Sequence, residues 1–124
     1  MTPKILLVDD NHDLLLITQI ILKGQGYETF LAGSVEEAER KIKIHQPQLL
    51  LLDICIGDDD GVAFCKQLKA NPATNSIHVI LMSGDDCNTA AIETSDDFLS
   101  KPFDFNELVS KVQQQLSNTA VVLN

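Results

Sequence analysis

Asp53 ends the run Leu49–Asp53, LLLLD, in which four leucines lead straight into a carboxylate. Asp9 and Asp10 end a similar run, ILLVDD, while Ser83 closes HVILMSG and Lys101 falls in DFLSKP. If each apolar run is a strand of one parallel sheet, three acids, a hydroxyl and a lysine meet at the carboxyl ends of the strands, where open α/β sheets gather functional groups. Crowded carboxylates resist joint ionisation unless a cation intervenes. A hard dication with oxygen ligands answers that need, and Mg²⁺ is the expected ion.

The elements that must position these groups alternate regularly. Short apolar runs at Ile5 to Val8, Glu28 to Leu31, Leu49 to Ile54, Ile77 to Met82 and Asp97 to Leu99 are each followed by a longer segment of helical character. Ser34 with Glu37, and Asp104 with Glu107, have the spacing of helix-capping pairs. Asp60 and Gly61 are read as the start of the third helix, and Leu108, Val109, Val112 and Leu116 as one face of the last. Ile5 to Val8 and Leu49 to Leu52 are apolar at every position, as expected of parallel strands covered on both faces. The pattern predicts an α/β fold: a doubly wound, five-stranded parallel sheet with helices on both faces and right-handed crossovers.

Composition narrows the function. The chain has 124 residues, 44% of them hydrophobic, enough for one domain with a real core. A formal net charge of −9 argues against direct binding to nucleic acid or to anionic lipid, both of which need clustered Lys and Arg. No apolar stretch approaches the roughly 20 residues of a membrane span and no signal peptide is evident, so a cytoplasmic location is expected. Cys55, Cys65 and Cys87 fit neither a disulfide framework nor a zinc pattern. His12, His45 and His78 lack metal-ligand spacing. Asp58 and Asp59 are read as a solvated acidic loop.

Five motifs, VDD at Val8 to Asp10, LLLLD at Leu49 to Asp53, DG at Asp60 and Gly61, SG at Ser83 and Gly84, and DDFLSKPF at Asp96 to Phe103, occur in the order found in the receiver domains of two-component response regulators. The chain resembles that family from Lys4 to about Leu116, which implies a flavodoxin-like sheet. The resemblance also implies that Asp53 is the phosphoacceptor, receiving a phosphoryl group from a histidine of a sensor histidine kinase or histidine phosphotransfer protein. Asp10, Asp53 and the backbone carbonyl of Cys55 would hold Mg²⁺, with Asp9 acting through water. These residue types suit such a reaction. A carboxylate is a competent nucleophile toward phosphorus. Transfer depends mostly on positioning and on neutralising phosphoryl oxygens, tasks open to Lys101 and the Ser83 hydroxyl. The chain would catalyse only its own phosphorylation and dephosphorylation, and its output would be a shift in partner binding, with Ser83 and Phe98 as the switch pair.

Two other readings stand beside this one. A pseudo-receiver scaffold would be expected to lack an acid or the lysine. A phosphatase of the haloacid dehalogenase type would want a second acid two residues after Asp53, where Cys55 stands.

Departures from the family pattern carry further expectations. Gly57 stands where a proline is usual and should loosen its loop, Ser83 replaces a commoner threonine, and the Lys101–Pro102 bond should be cis. On the first helix, Leu14, Ile17, Thr18 and Ile21 should pack on the sheet, leaving Leu16 and Ile20 exposed to dock a phosphodonor. Only eighteen positions separate Ser83 from Lys101, about one helical turn fewer than usual. The fourth helix, between Gly84 and Ser95, should therefore be short, leaving a monomer that signals to a different, unknown protein. The receiver domain should span residues 1–118, with 119–124 as a tail or linker remnant, in a stand-alone regulator or part of a longer chain.

Overall fold

Leu49–Asp53 (β3) lies at the centre of the sheet, and all five of its residues are buried. In the computed structural model the described residues are 2–84 and 93–121. Lys4–Val8 (β1) pairs with β3 on one side, and Glu28–Ala32 (β2) pairs with β1 beyond it. His78–Ser83 (β6) flanks β3 on the other side and pairs in turn with Asp97–Ser100 (β7). All four pairings are parallel, and the order is β2-β1-β3-β6-β7. The reversal of strand direction of travel through the sheet falls between β1 and β3, beside Asp9, Asp10 and Asp53.

Alternate strand residues face opposite sides, and both sides are covered. Leu6, Leu50, Leu52, Val79 and Leu81 pack with Ala38 and Ile42 of Val35–His45 (α2) and Phe64 and Leu68 of Gly61–Ala70 (α3). Ile5, Leu7, Leu49, Leu51 and Ile80 pack with Leu15 and Leu22 of His12–Gly24 (α1) and Leu108 and Val112 of Phe105–Val121 (α4). The doubly wound expectation holds, with two helices on each face among the described residues. Among the described residues no helix is long and apolar enough to cross a membrane.

Local signals act largely as their chemistry dictates. Ser34 Oγ accepts from the Glu37 amide at 3.1 Å, while the Glu37 carboxylate reaches back to the Gly33 amide at 2.7 Å, one residue before the cap. Asp60 caps α3 by accepting from Val62 and Ala63. Asn11 caps α1 through Leu14. Two of the histidines have structural partners: His45 stacks on Phe30, and His78 Nδ1 lies 2.9 Å from Oε1 of the buried Gln115.

Four expectations need correction or a boundary. Helix α1 is rotated by about one residue from the expected face: Leu15, Thr18 and Leu22 are buried, and Ile17 is 46% exposed. The segment is apolar around most of its circumference, so periodicity alone does not select which stripe meets the sheet. The loop after β3 is structured: Cys55–Ile56 (β4) and Asp59–Asp60 (β5) form a small antiparallel hairpin. Helix α4 continues past residue 118 to Val121, into the expected tail, since no Gly or Pro interrupts it. The expected short helix between Gly84 and Ser95 lies mostly in residues 85–92, outside the described residues.

Candidate functional site

Asp9 and Asp53 sit one position past or at the ends of neighbouring strands, and both are buried, whereas Asp10 is exposed. Carboxylate oxygens of the three, one from each, lie within 4.8 Å of one another. Lys101 closes the group. Its Nζ donates to Asp53 Oδ2 at 2.5 Å and to Asp9 Oδ2 at 2.6 Å. The lysine is held there by main chain, because its amide donates to the Ser83 carbonyl at 2.7 Å. The Lys101–Pro102 peptide is cis, as expected. Ser83 itself is buried, at the end of β6 and in register with Ser100.

One further oxygen of each carboxylate is held by a backbone amide. Asp53 Oδ1 accepts from Cys55 and Asp9 Oδ1 from Asn11, each at 2.9 Å. Asp10 Oδ2 accepts from the Gly57 amide, also at 2.9 Å. Gly57 has φ of +59°, the left-handed region that glycine enters without steric cost. So the glycine expected to loosen this loop instead shapes the hairpin turn and supplies a donor that a proline would lack.

Burial raises the Asp9 carboxyl above its ordinary range, against the opposing pull of Lys101 and the Asn11 amide. Burial also works against the charge on Lys101, but hydrogen bonds to Asp53 and Asp9, with their negative fields, outweigh it and raise the ammonium. One lysine thus faces three acids, and the site retains a demand for positive charge. An octahedral Mg²⁺ at about 2.1 Å from its ligands would separate neighbouring oxygens by about 3 Å and opposite ones by about 4.2 Å. Three hard oxygen donors within 4.8 Å fit that spacing.

Residues found by sequence thus meet in space: Asp9, Asp10, Asp53 and Lys101 share direct contacts or close approach, with Ser83 attached through the main chain. Phe98 stands back from them, half-buried against the core on the α2 and α3 face. Cys55 is an exposed free thiol whose amide faces Asp53. The backbone roles of three contributors escaped sequence reading. Asn11, Gly57 and Gly61 act through backbone, although an Asn directly before an apolar helical run is a recognisable cap signal. At Gly61 an added Cβ would stand 2.0 Å from the Asp53 carbonyl oxygen.

A doubly wound sheet with acids and a lysine at the switch of strand direction is the arrangement expected of a receiver domain, and comparison with known proteins agrees. The family model for the response regulator receiver domain matches residues 5–113. The chain belongs to that family. It is 29% identical over 123 residues to the alkaline phosphatase synthesis transcriptional regulatory protein PhoP of Bacillus subtilis, covering 98% of this chain and 51% of that protein. It is 32% identical over 120 residues to the transcriptional regulatory protein ZraR of Escherichia coli O157:H7, covering 95% of this chain and 27% of the other. The chain therefore spans about half or less of these relatives. Among solved structures, a putative response regulator from Chloroflexus aurantiacus superposes with a TM-score of 0.88 at 31% identity, covering 94% of this chain and 99% of that one. The signal receiver domain of a signal transduction histidine kinase from Syntrophus aciditrophicus gives 0.85 at 30% identity, covering 94% and 92%. Receiver domains bind Mg²⁺ at a cluster of acidic residues, and Asp9, Asp10 and Asp53 form such a cluster here.

Proposed function

We propose that this chain is a phosphoacceptor switch in which Asp53 takes a phosphoryl group from a phosphohistidine of a sensor histidine kinase or a histidine phosphotransfer protein. The observation that carries this reading is the buried Asp53 carboxylate, gripped by Lys101 at 2.5 Å beside two further acids. A carboxylate oxygen of Asp53 attacks phosphorus, the P–N bond breaks, and the donor imidazole departs as the phosphoryl group becomes an acyl phosphate. Lys101 follows the charge from the carboxylate to the phosphoryl oxygens, and the Ser83 hydroxyl donates to one of them. Asp10, Asp53 and the Cys55 carbonyl, with Asp9 acting through water, would hold Mg²⁺, which would supply the remaining neutralising charge.

Movement of Ser83 toward the phosphoryl group is coupled to Phe98, and the altered surface selects an output protein. The phosphodonor docks on the exposed aliphatic patch of α1, where Leu16 is 40% and Ile20 70% exposed and Ile17 joins them. The unit acts in the cytoplasm as a monomer, without direct contact to nucleic acid.

Incubation with acetyl phosphate and Mg²⁺ should add one phosphoryl mass to the intact protein, and Asp53→Asn should abolish the gain. A folded protein that stays unmodified would leave a scaffold role instead.

A further inference from the structure

We propose that Gly57 is a positioning residue for the metal-binding carboxylate of Asp10, acting through its backbone N–H. This inference rests on the Mg²⁺-dependent phosphoacceptor reading and adds a residue to it.

Asp10 is the exposed member of the acidic cluster, without the burial that holds Asp9 and Asp53 in place. A free surface carboxylate samples several rotamers, and fixing it on a cation costs entropy. Here the Gly57 amide, 47 positions away in sequence, donates to Asp10 Oδ2 at 2.9 Å. The other oxygen of Asp10 takes no hydrogen bond among the described residues. One oxygen is thereby anchored while its twin is left for a ligand, the division of labour by which outer partners orient metal-binding groups.

The donor is itself held by its backbone. The φ of +59° at Gly57 turns β4 into β5, and the two-residue strands pair Cys55 with Asp60 and Ile56 with Asp59. The hairpin is tethered at its base, where Cys55 donates to Asp53 and Gly61 donates to the Ile54 carbonyl at 2.8 Å. A link also runs from its far strand, since Asp59 Oδ2 accepts from the Val35 amide at the start of α2. The same short hairpin therefore touches the phosphoacceptor, the exposed metal carboxylate and the head of a helix.

The test compares three folded proteins by Mg²⁺ titration, read from amide shifts in ¹⁵N spectra and not from phosphorylation. Gly57→Asn keeps the N–H and tolerates left-handed φ, so its Mg²⁺ affinity should stay within about twofold of wild type. Gly57→Pro removes the N–H and, with φ locked near about −65°, also the left-handed turn that aims it, and should weaken Mg²⁺ about tenfold, the loss typical when an outer partner of a metal ligand is deleted. Equal affinity in the proline variant, or an equal loss in the asparagine variant, would overturn the proposal. Should Gly57→Pro fail to fold, the amide proton of Gly57 in wild type supplies the answer. Asp10→Ala should shift it upfield while Asp13→Ala leaves it in place, and an unmoved signal would overturn the inference. Failure of wild type to bind Mg²⁺ at all would overturn the underlying reading as well, which separates the two.

Discussion

A Cβ placed on Gly61 would stand 2.0 Å from the main-chain oxygen of Asp53 and 2.8 Å from the Ile54 Cα. Those neighbours are backbone of the Asp53–Ile54 segment and cannot swing aside as a flexible side chain would. Gly61→Ala should therefore destabilise the fold by at least the roughly 1–3 kcal/mol typical of overpacking, and should slow phosphorylation by displacing Asp53. Gly33→Ala is the control, because nothing lies within 4 Å of its added Cβ. Thermal denaturation of both variants measures the difference, and equal melting temperatures would contradict it.

Lys101 neutralises two buried acids, and its loss should be repaired in part by metal. Lys101→Met leaves Asp9 and Asp53 without their cation, at a cost of about 1–3 kcal/mol for polar groups left unsatisfied. The melting temperature in EDTA should fall accordingly, and Mg²⁺ should restore more of it than it adds to wild type. Phosphorylation by acetyl phosphate should still drop at least about tenfold, since the phosphoryl oxygens lose a fixed charge. A variant that keeps wild-type rates would remove Lys101 from the reaction.

The exposed patch on α1 carries the donor-docking prediction. Changing Leu16 and Ile20 to Glu should slow transfer from the phosphohistidine partner while acetyl phosphate still modifies the protein at the wild-type rate. Adding Ile17→Glu should deepen the loss. Comparable losses with both donors would mean damage to the fold.

Burial pushes the Cys65 thiol up to about 11 from its ordinary 9.0, with the Lys69 charge opposing and Asp96 reinforcing. The folded state therefore holds this proton more tightly than the unfolded chain. The resulting stability is fully present below pH 9.0 and is lost as pH rises through about 11. Unfolding free energies from urea titration should fall across that window with an added slope of up to about 1.4 kcal/mol per pH unit. Cys65→Ala, though less stable at neutral pH, should lack that added slope.

Much of the fold was legible because burial on two faces writes itself as continuous apolar sequence. Leu49 to Leu52 are each 0% exposed, and no other arrangement of a short run accounts for four adjacent leucines so well. Four of the site's side chains were legible for a related reason, since a charged or hydroxyl residue directly after such a run can only project from a strand end. What sequence concealed belongs to the backbone. The amides of Asn11, Cys55 and Gly57 carry no side-chain signature, and two-residue strands are too short to show a period. Helix α1 failed differently: with apolar residues at 14–17 and 20–22, packing against the sheet, not periodicity, chose Leu15 and Leu22 over Ile17. Asp96, which sits in the motif beside the site, proves to be a clasp, accepting from the Val79 amide at 2.7 Å and pairing with Lys69 at 2.6 Å.

The identity of Asp53 as phosphoacceptor is tested most directly by trapping the adduct at residue resolution. After reaction with acetyl phosphate and Mg²⁺, borohydride reduces an aspartyl phosphate to homoserine, which peptide sequencing by mass spectrometry then locates. Homoserine should appear at position 53 alone, should require Mg²⁺, and should be absent from Asp53→Asn. Homoserine at Asp9 or Asp10 with Asp53 intact, or none anywhere in a folded protein, would contradict the assignment.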